Sequence, residues 1–205
     1  MVLRMKPESD NINEYLKTTD IVDWDNPAVY TKARELIDGR IENIEKIRYL
    51  FEWVRDKIPH SKDINSKVVS CTASEVLAAG TGSCYAKSHL LAALLRANKI
   101  PCGFCYQVLQ RDPPLEGLVV HGLNGIYVEN IDRWVRVDAR GNTCACNAQF
   151  SIEKEQLAFP MDKSLGEFIY ETIFVDPDPG VIRVLKSFDD REEMWPYLPD
   201  RLERT

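Results

Sequence analysis

The chain is poor in histidine. Among 205 residues there are three, His60, His89 and His121, so any imidazole base comes from a very short list. Positive charge is also short, with 26 Lys and Arg against 32 Asp and Glu and a net charge of −6, which excludes an extended phosphate-binding face and with it nucleic acid as the expected partner. No apolar run approaches the ~20 residues of a membrane-spanning helix. Residues 1–7 lack the apolar segment of a signal peptide, so no membrane association and a cytoplasmic location are expected. Internal repeats, low-complexity tracts and clear linkers are absent, and the acidic residues are dispersed rather than gathered as a cation site.

What is present suits a globular chain: 44% hydrophobic and 28% charged residues, enough to bury a substantial core. A single folding unit over residues 1–205 is expected, with a helical part over 1–60, a core over about 72–142 and an extension over 143–205. The six cysteines, Cys71, Cys84, Cys102, Cys105, Cys144 and Cys146, read as reduced thiols in that compartment.

Asn26-Pro27 has the form of an N-cap with proline at the first helical position, and apolar residues recur at helical spacing up to Gly39. A second helix is predicted from about Glu42, with Ile47, Leu50, Phe51 and Val54 in its stripe and Pro59 as its stop. Thr72-Ala73-Ser74-Glu75 has capping-box spacing for a short helix through Ala79, closed by Gly80. Strands are predicted over residues 102–109, 121–128, 133–137 and 168–175, a short helix over 151–158, and a helical tail through Val181, Val184, Leu185 and Phe188. Arg111-Asp112-Pro113-Pro114 cannot continue a central strand and reads as a surface loop.

Chemistry is predicted at Gly80-Thr81-Gly82-Ser83-Cys84-Tyr85-Ala86, a glycine-bearing turn that delivers Cys84 to the first turn of an apolar helix. Unpaired N–H groups and the macrodipole at a helix start favour a thiolate, the reactive species. Gly82 is expected to bring backbone close to the thiol and to leave room for substrate. A thiol nucleophile needs a base, and the base needs a third group to fix its tautomer. His89 lies five residues along the same helix, roughly 140° around its axis, and cannot easily face the thiol. His60 follows a helix-breaking proline with no regular element to hold it and reads as a solvated loop residue.

His121 opens a hairpin. With Glu129 opposite Asp132, Leu123 pairs with Asp138, and His121 and Asp138 share a face as diagonal neighbours. The opposite face then carries Ile126, Val128, Val135 and Val137, an apolar set suited to packing. A loop of odd length would separate the histidine from the aspartate. Trp134 shares their face, where it either shields the pair from water or simply packs.

Cys102-x-x-Cys105 with Cys144-x-Cys146 supplies the four thiols of a zinc set, but a separation of three within a strand puts Cys102 and Cys105 on opposite faces, so no metal and no cofactor are expected.

Gly82-Ser83-Cys84, the leucine-rich helix through Leu94-Leu95-Arg96-Ala97-Asn98-Lys99-Ile100-Pro101, His121, and Trp134-Val135-Arg136-Val137-Asp138 together resemble the core of the transglutaminase-like superfamily, from about Thr72 to Asn142. The resemblance implies an α+β, papain-like fold: N-terminal helices, a cysteine-bearing helix on an antiparallel sheet and a helical C-terminal tail. It also implies a Cys-His-Asp triad with Cys84 as nucleophile, His121 as base and Asp138 as orienter. The expected activity is thiol-dependent acyl chemistry on a peptide, protein or small amide. Hydrolysis is preferred; acyl transfer or a silent binding module of the same fold are the alternatives.

The pattern departs from the family after the histidine, where Gly122-Leu123-Asn124-Gly125 is expected to widen the approach. No glutamine precedes Cys84 to hold an oxyanion, as Gln107, Gln110, Gln149 and Gln156 all follow it. The Cys84 N–H is the expected first donor. Asn65 and Tyr85 are candidates for a second, and Cys84, Tyr85 and Trp134 are the expected substrate-side residues.

Overall fold

A computed structural model describes residues 5–204. Residues 1–4, which carry most of the segment read above as lacking a signal peptide, lie outside the described residues. The elements in chain order are β1 (Lys6–Pro7), α1 (Pro27–Leu36), α2 (Asn43–Lys57), α3 (Ala73–Ala79), α4 (Cys84–Ala97), β2 (Cys102–Gln110), β3 (Leu118–Val128), β4 (Arg133–Val137), β5 (Phe168–Ile169), β6 (Thr172–Ile173), α5 (Pro179–Ser187) and α6 (Arg191–Met194). The sheet runs β4-β3-β2-β5 and is antiparallel, while β1 and β6 form a separate parallel pair. This is the α+β, papain-like architecture.

Local chemistry explains the helix ends. The Asn26 side chain accepts from the N–H of Ala28 ahead of Pro27, and Thr72 and Glu75 close a complete capping box. Gly80 then stops α3 in the left-handed region at φ 65°, where a side chain would be strained.

The centre of the molecule is α4. Every residue from Tyr85 to Ala97 is buried, because the sheet covers one side and α1, α2 and α3 cover the others. Leu90, Leu91, Leu94 and Leu95 are wholly removed from water, each worth roughly 1.5–3 kcal/mol of transfer free energy. A helix buried all round must also satisfy its charged residues. Arg96 donates to the carbonyls of Cys102, Lys17 and Val175, and Lys87 to those of Arg140 and Arg55. The sequence pattern predicts only an apolar stripe here. The full burial follows from α4's place at the centre of three helices and a sheet.

The β3–β4 hairpin has the expected register, with Val128 opposite Arg133, Ile126 opposite Val135 and Asn124 opposite Val137. Its connection is a 3₁₀ turn, Glu129–Ile131, followed by Asp132 in the left-handed region. Ile126, Val128, Val135 and Val137 are buried together in the main core.

Two expectations are corrected. Residues 151–158 form no helix: Gln149 N–H bonds the Gln156 carbonyl, and the N–H of Ala158 is drawn to the Asp138 carboxylate instead of a helical carbonyl. The strand expected over 168–175 is interrupted. Tyr170 N–H bonds Tyr106 O and Phe174 pairs with Phe104, so the outer chain takes four steps where β2 takes two, and the excess bulges out as β6 to meet β1.

Candidate active site

Cys84 is the first residue of α4, with the Ser83 side chain accepting from Ala86 N–H as its N-cap. The close packing of this helix start against β3 depends on Gly122. A Cβ there would stand 2.9 Å from Tyr85 Cδ1 and 3.3 Å from Tyr85 Cα, so only glycine lets the backbone beside Cys84 reach the strand beside His121. Gly122 therefore closes two elements together rather than widening the approach, and Gly125 is filled from the other face by Ile173 and Cys105. Gly82 is also corrected. The space at its α-carbon is taken by Ala86, Ser70 and Val76, so it leaves no room for substrate.

His121 Nε2 lies 2.9 Å from Asp138 Oδ2, and the Cys84 thiol lies close enough on the cleft side to act electrostatically on the ring. Asp138 is wholly buried. Its Oδ2 also accepts from Ala158 N–H at 3.0 Å, and its Oδ1 accepts from Arg140 N–H at 2.9 Å. Burial opposes its charge, but the His121 ring and these hydrogen bonds outweigh burial and hold the carboxyl below its ordinary range. Burial likewise works against a charged His121, yet Asp138 and Cys84 prevail and raise the imidazole to about 10. The structure thus brings Cys84, His121 and Asp138 together, with His121 bonded to Asp138 and sharing the cleft wall with Cys84.

Other assignments change. Trp134 packs edge-on against Tyr15 and Tyr127, at 4.7 Å and 5.6 Å between ring centres, in a satellite cluster away from the thiol. The ring that covers His121 is Phe159, 5.1 Å away and nearly perpendicular. Tyr85 lines the cleft, but its hydroxyl is committed to the Val120 carbonyl. Asn65 uses its side-chain oxygen to accept from Arg191. Neither is placed as an oxyanion donor. Cys102 and Cys105 lie in two different hydrophobic clusters on opposite sides of β2, and all six cysteines are free. His89 points into the core, where burial lowers it to about 4 and Cys71 O lies 2.7 Å from Nδ1.

His60 is the residue that sequence reasoning missed. It is 4% exposed, not solvated. A parallel bridge joins His60 to Gly82, reinforced by Ser61 N–H to Gly82 O and by the Thr81 hydroxyl to Pro59 O. This clamp sets the ring against the start of α4, with Cys84 N–H 3.1 Å from His60 Nε2. The pairing joins segments more than twenty residues apart and leaves no local pattern in the sequence.

Cys84, His121 and His60 open onto a cleft of about 200 Å³ whose apolar walls include Leu109, Val119, Phe159, Trp195 and Leu198. Its rim is tied by two ion pairs: Lys62 with Asp112, and a bidentate Arg140–Asp63 pair at 2.6 and 2.7 Å. Below the site, Lys87 suspends the Arg140 carbonyl from α4 at 2.8 Å, and burial lowers this lysine to about 7. Among the described residues no cluster of histidine, cysteine and acidic side chains could hold a metal ion, and no helix is long and apolar enough to cross a membrane.

The sequence profile of the Transglutaminase-like superfamily matches residues 30–139, more than half of the chain. The chain belongs to this superfamily. Among solved structures it is similar to a proposed cysteine protease from Cytophaga hutchinsonii, at 19% identity and a TM-score of 0.52, over 82% of this chain and 66% of that one. Lesser likenesses are to the periplasmic domain of TgpA from Pseudomonas aeruginosa (17% identity, TM-score 0.44, 61% of this chain and 46% of that) and to a proposed protease from Parabacteroides distasonis (13%, 0.41, 73% and 30%). The chain spans less than two thirds of the length of each of these structures. No curated protein matches it in sequence. At these identities the first likeness speaks to the fold alone.

Proposed function

We propose that this superfamily member is a thiol-dependent hydrolase of an amide or peptide bond, with Cys84 as nucleophile, His121 as proton carrier and Asp138 as the group that orients it. The observation that carries the reading is the chain Cys84–His121–Asp138, anchored at its far end by a wholly buried carboxylate with three hydrogen bonds and open at its near end to the cleft. His121 enters the reaction as an imidazolium that holds the thiol's proton on Nδ1, and the Cys84 sulfur adds to the substrate carbonyl carbon. Collapse of the tetrahedral adduct breaks the C–N bond, and the leaving amine takes the proton back from His121. His121 keeps a proton up to about 10, so at neutral pH it is a competent donor at that step. A water then adds to the thioester with His121 again accepting a proton, the acid departs, and the thiol is restored. The cleft's apolar walls suit an acyl portion with a hydrophobic side chain.

Competitive alkylation with iodoacetamide tests this reading. Cys144 is exposed and Cys84 only partly so, while burial pushes Cys71 up to about 11 and Cys102 up to about 12. Cys84 is expected to be carboxamidomethylated ahead of Cys144 at pH 6–7 despite its lower exposure, and Cys84→Ser to abolish turnover of peptide anilides. A Cys84 that reacts no faster than Cys144 would refute the assignment.

A further inference from the structure

His60 makes two contacts that no single protonation state can satisfy. Its Nε2 faces the N–H of Cys84 at 3.1 Å, and its Nδ1 faces the N–H of Lys62 at 3.2 Å. A neutral imidazole has one lone pair in the ring plane and one N–H, so it can accept at one of these nitrogens but not at both. An imidazolium could accept at neither. Burial first, and then the nearby cations Arg140, Lys87, His121 and Lys62, hold this ring well below the ordinary histidine value and hence neutral. One of the two contacts therefore sets N–H against N–H.

The two tautomers resolve this differently. With the proton on Nδ1, the ring consumes the Cys84 N–H and collides with that of Lys62. With the proton on Nε2, Nδ1 accepts from Lys62 N–H in a local turn, and the opposition moves to Nε2–H and Cys84 N–H, two donors whose nitrogens are 3.1 Å apart at the start of a fourteen-residue helix, beside the thiol and in the cleft wall. What that arrangement lacks is an acceptor, and an oxygen bearing developing negative charge supplies it.

We propose that His60, protonated at Nε2, and the backbone N–H of Cys84 form the oxyanion hole of this site. This deepens the hydrolase reading above and rests on it. The His60–Gly82 bridge fixes the spacing of the two donors before substrate arrives, which gives such donors their effect: no reorganisation is needed as charge develops. Neutrality suits the role, since the ring donates without taking up or releasing a proton.

Two reactions of the same thiol separate this role from a structural one. Alkylation by iodoacetamide displaces iodide at a saturated carbon and builds no oxyanion, whereas acylation by p-nitrophenyl acetate passes through one. His60→Ala is expected to lower the p-nitrophenolate burst rate about 10²- to 10³-fold and to leave the Cys84 alkylation rate near that of the parent. His60→Gln, whose amide can donate from a similar position, is expected to recover part of the lost acylation. Equal loss in both reactions would make His60 a support for Cys84 and overturn the proposal, as would undiminished acylation in His60→Ala. A parent protein whose Cys84 alkylates no faster than Cys144 would instead refute the nucleophile assignment itself. Should the variants fail to fold, ¹⁵N imidazole spectra of the parent decide: a proton on Nε2 of His60 is expected, and a proton on Nδ1 in the acetyl-enzyme would overturn the assignment.

Discussion

Two walls meet at Cys84, and each presents a buried histidine. On the β3–β4 wall, His121 is 6% exposed and faces a buried carboxylate. On the wall built by the segment after α2, His60 is 4% exposed and has Arg140, Lys87 and Lys62 for company. Burial alone disfavours charge on both. The neighbours decide the outcome: one ring holds its proton up to about 10 and the other stays neutral. Under the proposed mechanism one residue type serves two tasks within a single cleft, a mobile proton on one side and a fixed dipole on the other. The contrast shows that environment, rather than residue type, assigns acid–base roles.

The sharpest way to break the contrast is to remove the carboxylate charge while keeping its shape. Asp138→Asn is expected to lower acylation by about 10²-fold or more and to move the alkaline limit of acylation down from about 10, where His121 gives up its proton in the parent. The sign also appears in stability. His121 has a folded-state pKa above its unfolded value of 6.5, so its stabilisation is full below 6.5 and is lost as pH rises toward 10. Lys87, lowered from 10.5 to about 7, works in the opposite sense over a similar window, adding stability as pH rises. The gap in thermal midpoint between the parent and Asp138→Asn should therefore narrow from pH 6.5 to 10, since that difference isolates the His121–Asp138 contribution. A gap independent of pH would show that the pair is not coupled.

Gly122→Ala disturbs the place where the walls are brought together. The new methyl meets backbone and ring atoms of Tyr85 at 2.9–3.4 Å. It is expected to destabilise the fold by about 1–3 kcal/mol in urea melts and to slow Cys84 alkylation by separating thiol from imidazole. An unchanged alkylation rate would mean that α4 can shift without harm. The smallest effect is expected at the rim. Asp63→Asn weakens a bidentate but partly solvated pair with Arg140, for a loss of about 1 kcal/mol or less and little change in acylation. A large loss there would make the rim, rather than the buried hydrogen bonds, the element that fixes the Asp138 turn.

The two walls also differ in how far the sequence discloses them. His121 and Asp138 are legible because strand periodicity and an even turn fix which side chains share a face, and the β3–β4 register bears that geometry out. The helices around Cys84 are legible for a similar reason, since caps and glycine stops act over a few residues. His60 is not legible: it gains its place from a bridge to Gly82 across more than twenty residues, and no periodicity records such a contact. Phe159 and Trp195 enter the cleft on segments with no repeating pattern, while Trp134, correctly assigned to a face, lies too far along the hairpin to touch the site. Parity identifies a side, and distance along the strand decides reach.

The hydrogen bond from Ala158 to Asp138 carries a consequence for how the protein comes into being. It reaches the carboxylate from beyond residue 139, where the match to the superfamily profile stops. During synthesis, Cys84, His121 and Asp138 all emerge before the segment that supplies the third of the carboxylate's hydrogen bonds. On the proposed reading, the environment of the Asp138 carboxylate is complete only once this later segment has folded back over it.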